Sequence, residues 1–416
     1  MQDAILKETS GGLPLFNIDT IREAAVTLRG HIRHTELIHS HYFSERLGYP
    51  VYFKCENLQR TGSFKVRGAT NFIAHQSEEL LHNGVISASA GNHAQGVAFA
   101  SSQAGIKSIV VMPTNTPLAK VLATRDYGAE IRLHGADYDE AASLARQLEE
   151  ERGMLYVPAF DHELVMAGQG TIGLEILEDL YDVKTILVPI GGGGLISGIA
   201  TATKSIKPDI RVVGVEAACA PAAFISRRKG QIVPLKTAHS LADGIVVKQL
   251  GQKTFPVIEE TVDDIVTVKE EEIAHAIVSL MEKANLVVEG SGAVGLAALL
   301  SGHFAPKNGK TVVVLSGGNI DLQTISRVVE RGMLAEGRYL KVRVDLLDTP
   351  GALAGLAHLL AELGANIFHV SHDRRTTDVP LGRAEVHLEL ETKGPAHIEE
   401  VLAGLLKSGY GARVLK

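Results

Sequence analysis

Four consecutive glycines, Gly191, Gly192, Gly193 and Gly194, lie between an apolar run at 185–190 and a helical stretch at 195–205. A turn that closes a strand against a helix needs one or two glycines. Four residues without Cβ let successive backbone N–H groups point at one anion, and the positive end of the following helix adds to the field. The segment therefore predicts a phosphate cradle at the end of a buried strand. Gly192, Gly194 and Ser197 approach the dinucleotide fingerprint G-x-G-x-x-G, and Glu216 ends the next strand about where a ribose-binding acid would sit. An NAD-dependent oxidoreductase thus stands as an alternative, with Ser197 in the place of the third glycine counting against it. Gly309, Lys310 and Thr311 mimic the end of a Walker motif, but Phe304 occupies its first glycine position, and the stretch reads as a turn into a strand.

Around the cradle the chain alternates strand, turn and helix. Short β-branched runs at 108–112, 185–190, 211–215 and 311–315 are continuous rather than alternating, as strands buried on both faces are. Ala94, Val97 and Ala98 have helical spacing behind a Gly-Asn opening, and repetition of this order predicts an open α/β sheet. After about Arg338 the texture changes. Leu340, Val342, Val344 and Leu346 alternate with Lys341, Arg343 and Asp345, and Val386, Leu388 and Leu390 alternate with Glu385, His387 and Glu389, which predicts strands with one wet face. Leu353, Leu356, Ala357 and Leu360 form a helical stripe, as do Ile398, Val401, Leu402 and Leu405. The tail reads strand, helix, strand, strand, helix, strand, with a boundary near residue 338.

A chain of 416 residues has room for two or three domains and a buried site. Its 41 Lys and Arg against 48 Asp and Glu leave a net charge of -7, so no nucleic-acid partner is expected. The apolar runs stop far short of the ~18 residues of a membrane helix, so no membrane partner is expected either. Cys55 and Cys219 cannot make a disulfide framework, and the first residues show no basic stretch followed by an apolar one. A reducing, cytoplasmic setting is the expectation.

Two further small-residue clusters end buried strands: Ser316, Gly317, Gly318 and Asn319, and Ser89, Ala90, Gly91, Asn92 and His93. Ligands of open α/β sheets collect outside the carboxyl ends of the strands, so the three clusters could face one crevice. Lys65, between Phe64 and Val66, is either a surface residue at a helix start or a desolvated amine suited to a Schiff base. Taken alone, the surface reading is the commoner case.

Together these pieces resemble the fold-type II pyridoxal-phosphate enzymes, and among them the threonine dehydratases, or threonine ammonia-lyases. The resemblance spans about residues 15 to 335 and rests on E-N-L-Q-R-T-G-S-F-K-V-R-G-A at 56–69, S-A-G-N-H-A-Q-G at 89–96, G-G-G-G-L at 191–195 and S-G-G-N at 316–319. It implies a catalytic domain over 1–338 made of two open α/β subdomains, the smaller, at about 58–154, inserted in the larger. By this likeness Lys65 carries pyridoxal 5'-phosphate as an imine, Phe64 packs on a face of the ring, Asn92 bonds the phenolic oxygen and the glycines at 191–194 hold the phosphate. Ser316 corresponds to the partner of the pyridine nitrogen, and Ser89, Ala90, Gly91, Asn92 and His93 to the loop that grips the substrate carboxylate. The implied reaction is β-elimination and deamination of L-threonine to 2-oxobutanoate and ammonia, with L-serine to pyruvate as a side activity.

The resemblance extends to serine racemase, in which a serine precedes the Gly-Asn pair. Ala90 stands there, which favours elimination. The racemase's divalent-cation site pairs a Glu with an Asp six residues later; Glu216 matches the first but Ala222 occupies the second, so no metal is expected beyond a monovalent ion held partly by carbonyls. A serine dehydratase or racemase and a β-hydroxyaspartate dehydratase remain alternatives within the fold, and a non-catalytic amino-acid sensor is one outside it. Residues 339–416 resemble an ACT domain, the βαββαβ module that binds amino acids at interfaces between copies, with Asp348 and Gly351 before its first helix and Asn366 and Ile367 entering its second strand as effector-binding candidates. Isoleucine is then the expected inhibitor and valine an antagonist, in a homo-oligomer, expected as a tetramer; a packing domain without ligand is the alternative. His31, His34, His39 and His41 lack ligand spacing and read as exposed loop residues. Arg227, Arg228 and Lys229 read as a solvated charge run. Glu289, in V-V-E-G-S-G-A, lies in a segment that by the same resemblance approaches the cofactor, with its own role left open.

Overall fold

The computed structural model describes residues 16–307, 309–374 and 379–415, so the first fifteen residues of the domain expected over 1–338 lie outside the described ones. Two compact units divide between Asp321 and Leu322. In the first, a six-stranded sheet runs in the order Leu37–His39, Val51–Lys54, Lys310–Val314, Val183–Pro189, Arg211–Ala217, Asp264–Val268. It is parallel except for its first strand. A second, wholly parallel sheet has the order Glu130–Leu133, Ser108–Met112, Val85–Ala88, Leu155–Tyr156. Its central strands are buried throughout, which explains their unbroken apolar sequence, whereas the edge strand Glu130–Leu133 is largely exposed and carries alternating charges.

The two sheets are joined through the helices Lys65–Ala74, Asn92–Gln103 and Glu163–Asp179, and the approach is close enough to exclude side chains. A Cβ on Gly168 would lie 2.7 Å from the carbonyl oxygen of Arg67, and one on Gly68 would lie 2.3 Å from the Gln169 amide. Arg67 itself is fully buried. Its guanidinium forks onto Glu56 (2.7 and 2.8 Å) and Glu175 (2.6 and 2.9 Å) and donates to Thr171 Oγ1 at 3.0 Å. The Lys54 ammonium, also fully buried, closes the set at 2.7 Å from Glu175 and 2.7 Å from the Thr35 carbonyl. Arg67 and Lys54 thus neutralise Glu56 and Glu175, with Asp179 3.6 Å from the Lys54 ammonium at the outer edge, and threonines and backbone supply further hydrogen bonds.

Nearer the surface, two ion pairs connect the second sheet's helices to the segment 243–253 of the larger layer: Lys120 to Asp243 at 2.6 Å, and Lys248 to Asp139. The polar stretch of histidines is partly ordered in regular structure. His39, expected in a loop, ends the strand Leu37–His39, and His41, also expected in a loop, begins the helix His41–Leu47; their rings are 4.5 Å apart. Arg227, Arg228 and Lys229 form the last turn of the helix Ala222–Lys229, where positive charge meets the negative helix end.

The second unit begins with the helix Leu322–Ala335 and continues as strand Tyr339–Leu347, helix Ala352–Glu362, strands Asn366–Asp373 and Arg383–Glu391, helix Pro395–Lys407 and strand Gly411–Val414. Its antiparallel sheet has the first strand paired on one side with the third and on the other with the last. Leu340, Val342, Val344 and Leu346 face Leu356, Leu360, Val401 and Leu405 in one core, the stripes and alternations of the sequence brought together. No helix among the described residues is long and apolar enough to cross a membrane.

Replacing Arg67 by Met leaves Glu56 and Glu175 buried against Lys54 alone. The substitution is expected to lower the unfolding free energy by about 3–5 kcal/mol in urea titration, the cost of an uncompensated buried charge; a loss under about 1 kcal/mol would contradict a tightly paired network.

Candidate active site

The strand ends of the larger sheet and the helix starts beside them border a cavity, the kind of place where ligands of open α/β sheets bind. Gly191, Gly192, Gly193 and Gly194 form one wall. None of the four has room for a side chain: a Cβ would come within 3.0 Å of Ile245 at Gly191, 2.4 Å of the Phe160 ring at Gly192, 2.8 Å of Thr254 Oγ1 at Gly193 and 3.0 Å of Phe160 at Gly194. Gly193 also has φ +97°, a backbone that favours glycine. The Gly192 carbonyl turns outward to accept from Thr254 Oγ1 at 2.7 Å. Among the described residues no protein acceptor takes the N–H groups of Gly191, Gly192 and Gly193, and the helix Gly194–Ile206 that follows has no side-chain cap. This is an open anion site rather than a tight turn.

Lys65 is the first residue of its helix, and its side chain crosses the cavity wall to donate from Nζ to the Ala159 carbonyl at 2.8 Å. The surface position that its sequence context alone favours is therefore wrong. Desolvation lowers its pKa to about 8, partly offset by the negative charge of Glu289. The lysine's backbone is held from several sides. Phe64 donates its N–H to the Ser316 carbonyl at 3.1 Å, Gly318 donates to the Gly62 carbonyl at 2.8 Å, and a Cβ on Gly96 would touch the Lys65 carbonyl carbon at 3.1 Å. Phe64, with its ring centroid 5.3 Å from Lys65 Nζ, and Ser316 complete this side of the cavity.

Asn92 enters from the second sheet, at the start of the helix Asn92–Gln103. Its amide orientation follows from its partners: Nδ2 donates to Glu289 Oε1 at 2.7 Å, and Oδ1 accepts from Asn319 Nδ2 at 2.8 Å. The rest of its loop stands back from the cavity wall. Ser89 Oγ accepts from the N–H of Gly91 at 3.2 Å, with Ala90 between them. The buried His93 ring is turned to the Val157 carbonyl, 3.0 Å from Nε2, and burial with the nearby Lys65 charge lowers its pKa to about 3. Of the site candidates, the structure thus gathers Phe64, Lys65, Asn92, the four glycines and Ser316 on one cavity, while Ser89, Ala90, Gly91 and His93 are outside its lining.

Several wall residues had no sequence signal. Ala159 acts through its carbonyl, Phe160 through shape, and Gly244 with Ile245 come from an irregular segment. Glu289, to which the sequence assigned no role, lines the cavity, as does Ser291, whose buried Oγ has no hydrogen-bond partner in the chain. Glu216 is elsewhere. Its buried carboxylate accepts the N–H groups of Ala223 and Phe224, each at 2.8 Å, at the start of the helix Ala222–Lys229, and burial raises its pKa to about 8 against those two bonds. It caps a helix instead of presenting an acid to a ribose. Among the described residues no group of three or more His, Cys, Asp or Glu is placed to hold a metal ion.

An anion cradle of free backbone N–H groups, a neutralisable amine and an orphaned hydroxyl around one cavity fit a phosphorylated aldehyde cofactor. The family model described as pyridoxal-phosphate dependent enzyme matches residues 28–317, and the chain belongs to that family, with pyridoxal 5'-phosphate as its cofactor. At the level of individual proteins it is similar to the L-threonine ammonia-lyase of Geobacter sulfurreducens, 59% identical over 396 residues that cover 95% of this chain and 98% of the relative. Among solved structures it resembles threonine deaminase isoform 2 of Solanum lycopersicum, with TM-score 0.71 and 37% identity over 79% of this chain and 99% of that one. It also resembles maize serine racemase, with TM-score 0.73 and 36% identity over 77% of this chain and 99% of that one. Membership of this family removes the NAD-dependent oxidoreductase as a reading of the glycine run.

In the cofactor-free chain Lys65 should react with trinitrobenzenesulfonate at a rate half-maximal near pH 8, whereas an ordinary lysine titrates near 10.5. Lys65→Ala should delete that fast-reacting amine; its persistence would contradict the assignment. Gly192→Ala, which forces a methyl into Phe160, should weaken pyridoxal phosphate binding at least tenfold in an absorbance titration.

Proposed function

We propose that this chain is an L-threonine ammonia-lyase, converting L-threonine to 2-oxobutanoate and ammonia, with L-serine to pyruvate as a side activity. One observation carries the choice of substrate. Apart from Lys65 and Glu289, the described cavity walls bear no charge, and Phe160, Pro189, Leu195 and Ile245 make much of the wall apolar. A neutral β-hydroxyethyl side chain suits these walls. β-Hydroxyaspartate brings a second carboxylate, which would be desolvated without a cation to receive it.

In this reading the glycine N–H groups at 191–194 would hold the phosphate, with Phe64 for the ring, Asn92 for the phenolic oxygen and Ser316 for the pyridine nitrogen. Pyridoxal phosphate, when bound, supplies the electron sink for charge developing at the substrate Cα. Lys65 would hold the cofactor aldehyde and, as a free amine, would take the proton from the substrate Cα; its low pKa leaves a useful fraction as the free base near neutral pH. The segment Ser89–Ala90–Gly91–Asn92–His93 receives the substrate carboxylate. Ser316 cannot supply the negative charge that would keep the pyridine nitrogen protonated, which favours prompt β-elimination over a persistent carbanion. Serine racemase is the second reading, favoured by the likeness to the maize structure. Ala90 speaks against it, because no hydroxyl is available beside the Gly-Asn pair to return a proton to the opposite face.

The domain over 339–416 is read as an ACT-like regulatory module responding to isoleucine or valine, in a cytoplasmic homo-oligomer, with the catalytic domain over 1–338. Gly351, at φ +90°, opens the helix Ala352–Glu362 just after Asp348 at one end of the sheet, whereas Asn366, whose Nδ2 donates to Glu391 at 2.9 Å, and Ile367 begin the strand Asn366–Asp373 at the other end.

Purified protein is expected to form 2-oxobutanoate from L-threonine, to form no D-serine from L-serine and to leave β-hydroxyaspartate unchanged. Lys65→Ala should lose the visible chromophore and turnover together. D-serine as the main product would favour the racemase, and binding of threonine without ketoacid would favour a sensor. Asp348→Ala combined with Asn366→Ala should abolish isoleucine binding by calorimetry while the untreated rate is retained.

A further inference from the structure

Resting on the reading of the site as an amino-acid lyase, we propose that Glu289 is a catalytic residue that accepts the proton the substrate's ammonium group must lose before its nitrogen can act as a nucleophile. A free amino acid arrives at neutral pH almost wholly as the ammonium form, which has no lone pair to attack with. Lys65 is unavailable as the acceptor while it holds the cofactor. The other polar side chains on the described cavity walls, Asn92, Gln169, Ser291 and Ser316, are neutral and poorly basic. Glu289 is the one carboxylate among them.

Its setting is built for a carboxylate that changes charge. Glu289 is 4% exposed and stands at the start of the helix Gly290–Leu300, whose positive end favours the anion. Gly244 and Gly317 crowd it so closely that a Cβ on either would come within 3.2 and 2.5 Å of Oε1. Oε1 accepts from Asn92 Nδ2 at 2.7 Å, and both side chains border the cavity that the substrate would enter. The charged groups facing it are Lys65, Asp243 on the 243–245 turn and Lys120 on the helix Leu118–Asp126; Asp321 acts on Lys120 in turn. Burial raises the Glu289 pKa to about 7, Asp243 adds to the rise, and the Asn92 bond and the Lys120 charge pull it down. At that value the group is both ionised often enough to accept and basic enough to be worth protonating.

The step moves one proton and no electrons. An N–H bond of the ammonium breaks, an O–H bond forms on Glu289, and the freed amine keeps the lone pair. After elimination the proton returns to the nitrogen of the departing product, which leaves as ammonium on hydrolysis, and the carboxylate is restored.

The test is the pH profile of kcat/KM on the cofactor-loaded enzyme, read with infrared difference spectra of the same protein. Wild type should show an acid limb near pH 7, with a carboxylic-acid C=O band vanishing over the same interval. Glu289→Gln should lose both limb and band and about 100-fold in kcat/KM, and Glu289→Asp should restore the limb. Lys120→Met removes a positive neighbour and should move the limb to higher pH; Asp243→Asn should move it to lower pH. A uniform loss of rate in Glu289→Gln with the limb unmoved overturns the proposal, since a structural role would do that. If wild type makes no ketoacid from any β-hydroxy amino acid, the lyase reading itself fails, and an unmoved limb in an active enzyme leaves that reading intact.

Discussion

The position of Lys65 depends on an arginine two residues further along the same helix. Arg67 cannot turn its guanidinium to water, because Glu56 and Glu175 hold all of its edges and the glycines at 68 and 168 press the two helices together. A reactive amine on a flexible four-carbon stem is ordinarily a poor instrument for chemistry that must reach one atom. Here the stem starts from a backbone fixed by buried charge and direct helix contact, so the remaining freedom is confined to the side chain. The buried network is not the cheapest way to stabilise a core; apolar residues of the same volume often do as well. What it adds is directional: a fork satisfied by two carboxylates permits one placement of the helix.

Electrostatics within the cavity follow from the same exclusion of water. Burial pushes the amine of Lys65 down and the carboxyl of Glu289 up, so that both approach neutrality from opposite sides. Each would be unremarkable in solvent. On the walls of one cavity, they give the site two groups that titrate in a range where ordinary lysines and glutamates are fixed in charge. Glu216, equally buried but bonded to a helix start and remote from the cavity walls, shows that a raised carboxyl pKa alone does not mark a functional group.

Much of this was legible in the residues before any coordinates. The four glycines could be read because a missing side chain at four adjacent positions has few structural explanations, and the second unit because its alternations and stripes are clean. Strands such as Ser108–Met112 declared themselves through burial on both faces, while Glu130–Leu133, at an edge, has a sequence that gives little sign of a strand. Lys65 taken singly read as a surface residue, since sequence does not record what lies across a cavity; only its company of motifs pointed inward. Ala159 contributes a carbonyl and Gly244 an absence of bulk, and neither contribution depends on a side chain that could be recognised. His93 shows the converse, a residue of a recognisable motif whose ring serves the core.

The ion pairs Lys120–Asp243 and Lys248–Asp139 sit where elements of the two sheets meet near the cavity, and three of their four side chains are substantially open to solvent. Such pairs weaken as dissolved ions accumulate around them, whereas the quartet beneath the lysine, sealed from counterions, does not. The molecule therefore has a seam whose tightness follows the ionic strength of its surroundings and a foundation that ignores it. Added salt would loosen the contacts along that seam without disturbing the placement of the lysine above the foundation.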